Sequence, residues 1–157
     1  VVRIDYKKRK LILIQPSDFD AADAGVPLAI RLTNRHPKVR GSVAGMNGWF
    51  TVDTGNYRLL TLNTPFSTQH HLYMRLYAAP AAIVGRGYDG PITCRVARKV
   101  GLTLGAFNTT LDRVCLETAS KGISADTENA GTIGSSFLRH FVVTFDYGNR
   151  KIYLKQN

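Results

Sequence analysis

The sequence has few cysteines, few acidic residues and no long apolar run, and each shortage excludes a class of protein. Two cysteines among 157 residues are too few for a disulfide-based scaffold, and no Cys or His group has the spacing of zinc ligands. No apolar run approaches the roughly 20 residues that a membrane-spanning helix needs. We therefore predict a chain with no metal, no cofactor and no membrane partner.

The shortage of acidic residues makes the chain basic. Its 21 Lys and Arg against 11 Asp and Glu give a formal charge of +10, a balance that raises nucleic acid as a partner. The basic residues are scattered, however. The one dense run, residues 7–10, lies between two apolar segments, as a solvated hairpin turn does. We predict no nucleic-acid partner and a single compact domain, which is what the length and the 44% apolar content allow.

The two cysteines, Cys94 and Cys115, leave two states open. They form one bridge if the protein is exported, or they are two buried free thiols. Neither has a histidine at a spacing typical of catalysis. Our interpretation is that both are core thiols.

The two ends of the chain contain a repeat. Residues 1–13 and 142–154 align without a gap, and seven positions are identical. Each copy predicts a β-hairpin, because apolar β-branched residues alternate with polar ones around a turn. A repeat at one domain length predicts that the chain starts with the closing hairpin of one unit and ends with that of the next. The chain begins at Val1 without an initiator Met, so we expect a piece of a longer polypeptide.

The predicted domain division follows from this repeat. Residues 1–15 are the closing hairpin of a preceding lobe, residues 16–25 are a linker and residues 26–157 are one lobe. The linker contains three aspartates, but it lacks the Gly and the terminal Glu of a calcium-binding EF-hand loop.

Between the hairpins the pattern predicts a mostly-β, closed or folded-over sheet with two short helices. The first helix has Thr64 as N-cap and Pro65 at its first position, and it runs to about residue 76. The second is capped by Ser135 or Ser136 and ends near His140. The predicted strands are 26–32, 39–43, 48–52, 59–62, 78–84, 92–96, 100–104 and 110–116.

One aspartate stands out because of the strand that precedes it. Asp53 follows the apolar segment 49–52 and is followed by Thr54 and Gly55. An aspartate after a strand often only ends it, so the three residues alone are a weak signal. Here the apolar strand predicts a rigid, buried element that presents the carboxylate, and Gly55 permits the sharp reversal behind it.

The segment 50–55, Phe-Thr-Val-Asp-Thr-Gly, resembles the active-site loop of the pepsin and retroviral-protease superfamily. A second signature of that superfamily follows at 131–134, Gly-Thr-Ile-Gly, and the glycine-rich segment 85–90 takes the place of the flap hairpin. The resemblance covers about residues 26–157. It implies a single acid-protease lobe: a retropepsin-like closed β-barrel with a ψ-loop, a flap hairpin and one or two short helices.

The resemblance also implies an activity, that of an aspartic endopeptidase. Asp53 would supply one of two aspartates that share a proton, and the other would come from an upstream lobe or from a second copy in a homodimer. Thr54 and Gly55 would support the active-site loop. The implied substrate-binding residues of the flap are Gly85, Gly87, Tyr88 and Gly90.

The implied partners are a peptide or protein substrate and, from the bacterial relatives that the sequence resembles, a neighbouring PDZ domain. Such relatives are often exported, so an exported location, for example the periplasm, is favoured for this protein. Departures from the family pattern in two places support an alternative hypothesis, a catalytically inactive peptide-binding or dimerisation module with the same fold. Asn56 stands where Ser or Ala usually follows the motif, and Arg86 and Tyr88 stand in the flap where smaller residues are usual.

Other ionisable residues are better explained by structural roles. Asp5 and Asp146 occupy equivalent positions in the repeated hairpins, where a turn role is expected. His70 and His71 are adjacent, so on a helix they point in different directions and do not chelate one ion together. Ser-His-Asp catalysis lacks the Gly-x-Ser-x-Gly motif that would support it.

Overall fold

The computed structural model describes residues 1–87 and 90–157, and it is mostly β. The strands are β1 Val2–Asp5, β2 Lys10–Leu13, β3 Val26–Thr33, β4 His36–Val43, β5 Met46–Asp53, β6 Leu60–Leu62, β7 Ala82–Gly87, β8 Gly90–Ala97, β9 Val100–Leu104, β10 Phe107–Leu111, β11 Val114–Glu117, β12 Gly131–Gly134, β13 Phe141–Asp146 and β14 Lys151–Gln156. The helices are α1 Thr64–Gln69, α2 Leu72–Arg75 and α3 Ser135–Leu138, with short 3-10 turns at Pro16–Asp18 and Gly122–Ala125.

The strands form one folded-over sheet. Its order is β2-β1-β13-β14-β3-β4-β5-β12-β6-β11-β8-β7, and β9 pairs with both β4 and β10. The fold-over occurs on β4, because its first half pairs with β3 whereas Ser42 and Val43 pair with β9. The mostly-β prediction is confirmed. Closure of the barrel is not seen: within the described residues, β2 and β7 remain the two ends of the path.

The predicted ψ-loop is present. Strand β12 lies between β5 and β6, parallel to the first and antiparallel to the second. Strands this close leave no room for a side chain at Gly131, where a Cβ would lie 2.0 Å from the carbonyl oxygen of Thr61. The arrangement places the C-terminal ends of β5 and β12 side by side.

Alternate residues of β4 and β5 supply the centre of the core. Val39, Val43 and Phe50 are fully buried, and Val52 is nearly so. Burying one such side chain contributes roughly 1.5–3 kcal/mol. The second half of the strand that leads to Asp53 is therefore anchored in the core.

Two predicted elements differ from the structure. The helix predicted from Thr64 is two helices, separated where His71 adopts a left-handed conformation with φ 53°. Its N-cap is Asn63, whose backbone is extended, and the Thr64 hydroxyl donates to the carbonyl oxygen of Ala119 at 2.7 Å. The single strand predicted at 110–116 is interrupted between β10 and β11.

The interpretation of the cysteines as free thiols was wrong. Cys94 and Cys115 are both buried, as expected for core residues, but they form a disulfide. Antiparallel pairing of β8 with β11 places their Cα atoms 5.6 Å apart, within the range that a bridge spans.

The N-terminal hairpin is part of the sheet, because β1 pairs antiparallel with both β2 and β13. The domain division at residues 15 and 25 stays a prediction. Asp5 and Asp146 stabilise turns: their carboxylates accept the backbone N–H of Lys8 at 2.8 Å and of Asn149 at 3.1 Å. None of the described helices has the length and apolarity needed to cross a bilayer.

Candidate active site

Asp53 stands at the end of a buried strand with its side chain exposed. It is the last residue of β5, and its partner in the parallel ladder is Gly134, the last residue of β12. Phe50 and Val52, which precede it, are buried. The core thus fixes the strand and leaves the carboxylate at its tip facing outward.

A tight turn orients this carboxylate. One oxygen of Asp53 accepts the N–H of Gly55 at 2.8 Å, and the Asp53 carbonyl accepts the N–H of Asn56 at 3.3 Å. A Cβ on Gly55 would lie only 3.3 Å from the same carboxylate oxygen, tighter than an ordinary contact. Thr54 is exposed beside it. The Asp-Thr-Gly turn therefore has the local geometry that the sequence indicates.

The second signature packs under this loop. The backbone N–H and the hydroxyl of Ser135 both donate to the Asn56 carbonyl, at 2.6 and 2.9 Å, and the Ser136 hydroxyl donates to the Tyr57 carbonyl. A Cβ on Gly134 would lie 2.3 Å from the Arg58 carbonyl oxygen. The two serines thus hold the loop rather than cap α3, whose N-cap is Gly134.

Asn56, the unusual residue after the motif, has a local role. Its side-chain oxygen accepts the backbone N–H of Arg58 at 2.9 Å. This bond extends the turn on the side away from Asp53. Asn56 therefore stiffens the loop that follows the carboxylate.

Asp53 opens onto a depression of about 310 Å³. Both hairpins of the repeat contribute to its wall, the first through Val2 and Ile4 and the second through Phe145 and Tyr147. His36, the first residue of β4, completes the rim. The place of His36 beside Asp53 arises from the antiparallel pairing of β4 with β5, which joins residues far apart in the chain.

The flap candidates lie on a different side of the loop. Within the described residues, the β7–β8 hairpin closes with Gly87 paired to Gly90, and a Cβ on Gly85 would lie 3.1 Å from the Tyr57 hydroxyl. Tyr88 lies outside the described residues. The three described flap glycines therefore do not line the depression that holds Asp53.

Two further residues connect the loop to β7, and the sequence did not single them out. The Tyr57 hydroxyl and the Arg58 guanidinium both donate to the Val84 carbonyl oxygen, at 3.2 and 3.3 Å. Their position directly after the Asp-Thr-Gly turn was the available signal. Across residues 1–87 and 90–157, no three His, Cys, Asp or Glu side chains are arranged to hold a metal ion.

Solved structures similar to this chain are retropepsin-like proteases. A crystal structure of a retropepsin-like aspartic protease from Rickettsia conorii superposes with a TM-score of 0.52 and 14% identity, over 81% of this chain and 86% of that one. The chain therefore has the retropepsin-like fold, as a single lobe. No protein-family model and no curated protein matches the sequence.

Two other structures align at lower scores. The retroviral protease-like domain of Ddi1 from Leishmania major has a TM-score of 0.49 at 16% identity, over 76% of this chain and 87% of that one. The EIAV protease in complex with the inhibitor HBY-793 has a TM-score of 0.44 at 16% identity, over 66% and 86%.

Proposed function

We propose that this chain is one lobe of an aspartic endopeptidase, in which Asp53 provides one of two catalytic carboxylates. The observation that carries the proposal is the presentation of Asp53: exposed at the tip of a buried strand, bonded to the Gly55 N–H, and facing a concave surface. The retropepsin-like fold is consistent with a hydrolase of this kind.

The pairing of the two hairpins supports a second unit related by two-fold symmetry. In the ladder of β1 with β13, Arg3 lies opposite Thr144, and these positions are 141 residues apart, the offset of the repeat. The neighbouring pairs, Val2 with Phe145 and Ile4 with Val143, exchange places when each residue is replaced by its repeat equivalent. A local two-fold axis therefore passes through the pair Arg3 and Thr144.

This axis lies beside the candidate carboxylate. Ile4 and Phe145 are equivalent positions of the repeat, and both line the depression onto which Asp53 opens. A unit related by the same axis would bring its own aspartate to that depression. We propose that this unit precedes residue 1 and has residues 1–15 as its closing hairpin, and that Thr54, exposed on the same rim, bonds to it. A second copy of the chain is the other source.

The chemistry then follows from two close carboxylates. Like charges at such a distance do not both ionise, so one group holds a proton and the other is charged. The charged group takes a proton from water as its oxygen attacks the peptide carbonyl, and the protonated group donates a hydrogen bond to the carbonyl oxygen. The amine leaves with a proton returned from the dyad, which restores the starting state.

The first test replaces the proposed carboxylate. In the assembly with both carboxylates, Asp53→Asn should lower kcat for cleavage of a peptide library by about 10³-fold or more, because an amide accepts no proton from water. The matched control is Asp18→Asn, since Asp18 is exposed and does not line the depression. Cleavage that survives Asp53→Asn, or that a statine-type analogue does not inhibit, would contradict the role of Asp53.

The second test asks where the other carboxylate comes from. A tandem polypeptide of residues 1–155 followed directly by residues 15–157 preserves the repeat offset, so one hairpin serves both units. We expect its specific activity to be independent of concentration and to be lost when Asp53→Asn is placed in either copy. Activity of the single chain that rises with its own concentration, with an inactive tandem, would instead identify a homodimer.

The disulfide supports a proposed location. Bonded cysteines persist in oxidising compartments and are rare in the cytosol, and Cys94 and Cys115 are bonded and buried. We propose that the protein works outside the cytosol, for example in a bacterial periplasm. Fractionation of cells that produce it, with thiol labelling of each fraction, tests this.

A further inference from the structure

A second cavity lies beside the active-site loop, on the side that faces β7. It has a volume of about 390 Å³. Tyr57 and Arg58 line it next to the loop, Val84 comes from β7, and Arg113 and Ser136 complete this part of the lining. Asp53 lies four residues before Tyr57, and the depression that holds it shares no residue with this cavity.

The guanidinium of Arg58 is held in place at this cavity. One terminal nitrogen donates to the Tyr57 hydroxyl at 3.2 Å and to the Val84 carbonyl at 3.3 Å, and the other lies 3.8 Å from the sulfur of Cys94. The group also sits 5.3 Å from the centre of the Tyr57 ring. Because the side chain is already ordered, less conformational entropy is lost when it binds an anion.

The surroundings of the cavity are predominantly basic. An adjoining cavity of about 680 Å³ shares Arg113 and Ser136 with it and adds Arg139 and His140. Among the described residues of that lining the one carboxylate is Asp112, which forms an ion pair with Lys99, so its charge is already compensated. The field along this face therefore favours a negatively charged ligand.

Glu117 is a titratable neighbour of Arg58. Burial raises the pKa of Glu117, and the nearby Arg58 guanidinium lowers it only in part. Glu117 is not among the described residues that line the cavity, so the described lining contains no carboxyl that faces Arg58.

We propose that Arg58, assisted by Arg113, binds the carboxylate of an acidic side chain in an extended peptide, so that the protein prefers substrates with Glu or Asp at one fixed position from the cleaved bond. The guanidinium has further N–H donors beside the two that bond to Tyr57 and Val84, and charge-assisted bonds from them to a carboxylate are stronger than neutral ones. This inference rests on the proposed function, because it takes the bound molecule to be the peptide that Asp53 acts on.

The test measures binding separately from cleavage. The full chain with Asp53→Asn, alone and as the tandem polypeptide, is titrated with fluorescent peptides in pairs that differ by Glu or Gln at one scanned position. At one position the Glu peptide should bind about tenfold or more tightly than its Gln twin. The ratio should fall to about one in Arg58→Gln, fall in part in Arg113→Gln, and shrink at high salt.

Two variants keep the result interpretable. Arg75→Gln makes the same change at an exposed residue of α2 outside the described cavities, and it should leave the ratio unchanged. Arg58→Lys keeps the positive charge but not the planar guanidinium. It should retain part of the Glu preference that Arg58→Gln loses. Thermal melts of each variant separate loss of the preference from loss of the fold.

The outcomes separate this inference from the proposed function. Absence of a Glu preference at every position, including absence of binding to either twin, overturns the inference, and so does a preference that persists in Arg58→Gln. Cleavage by the unsubstituted protein without that preference leaves the function standing. If the Glu preference depends on Arg58 but the protein cleaves no peptide, the inference is upheld and the proposed endopeptidase function is contradicted. Competition by inorganic phosphate without a peptide preference also overturns it.

Discussion

The two hairpins at the ends of the chain share a sequence but not an environment. Leu13 in β2 is 76% exposed, whereas its repeat equivalent Leu154 in β14 is 4% exposed. Leu11 is 67% exposed and its equivalent Ile152 is 1% exposed. The outer edge of β14 pairs with β3, whereas within the described residues β2 pairs only with β1. Both copies of the repeat therefore form a hairpin. Whether the apolar side chains of the second strand are buried depends on the strand that pairs with its outer edge.

This contrast bears on the proposed second unit. Exposed apolar side chains that sit together often mark a contact surface, and β2 carries them at the repeat positions that β14 buries against its own lobe. A preceding unit with its own counterpart of β3 would cover β2 in the same way. The exposed leucines are thus explained by the same two-fold arrangement that would place a second carboxylate near Asp53.

The largest expected effect comes from one chemical change made in both hairpins. Leu154→Ala should lower the free energy of unfolding by about 2–5 kcal/mol, because it leaves a cavity in the core. Leu13→Ala should change it by no more than about 0.5 kcal/mol in the single chain. Urea denaturation of both variants measures the two values. Equal losses would break the comparison, since Leu13 would then be buried in solution.

A middle-sized effect tests what the hairpins have in common. Asp5→Ala and Asp146→Ala should each lower the free energy of unfolding by about 1 kcal/mol, because each removes the acceptor of a turn N–H. The loss should be somewhat larger at Asp146, which also accepts the Asn149 side chain at 2.8 Å. Denaturation curves at constant pH compare them. A negligible loss at either position would show that the apolar strands alone form that hairpin.

The smallest effect concerns the equivalent tyrosines that follow these aspartates. Burial raises the pKa of both Tyr6 and Tyr147 above the usual 10.0. As pH rises above 10.0, the two tyrosines ionise in the unfolded chain before they ionise in the folded protein. The free energy of unfolding therefore falls with rising pH. Tyr6→Phe and Tyr147→Phe should each make this decline shallower, as thermal melts between about pH 9 and 11 would show. An unchanged slope in both variants would contradict the shared pKa shift.

The sequence predicted those parts of the fold that depend on local pattern. Most strands, the turns of both hairpins and the Asp53 loop follow from alternation, from turn residues and from motifs with strong steric demands. Gly134 is an example, because only a glycine fits against the Arg58 carbonyl. The prediction of a single helix from Thr64 was wrong. The left-handed conformation of His71 divides it, and a pattern of apolar residues does not reveal such a conformation.

Features that join distant strands were not predictable in the same way. The disulfide depends on pairing of β8 with β11, and the place of His36 beside Asp53 depends on pairing of β4 with β5. In the sequence, Arg58 is one of 21 basic residues and nothing distinguishes it. Its position is recognisable only from the structure, where its guanidinium donates to the Val84 carbonyl of β7. Each of these contacts needs a register between strands that neither strand encodes alone.

By itself the sequence determined where the strands and turns form, and that Asp53 ends a buried strand, because side-chain alternation and turn geometry act between near neighbours in the chain. Only the tertiary structure decided which copy of the repeated hairpin is covered and which side chains meet beside the Asp53 loop. The physical reason is that burial and hydrogen bonding between strands are properties of pairs, and the partner of each pair lies far away along the chain.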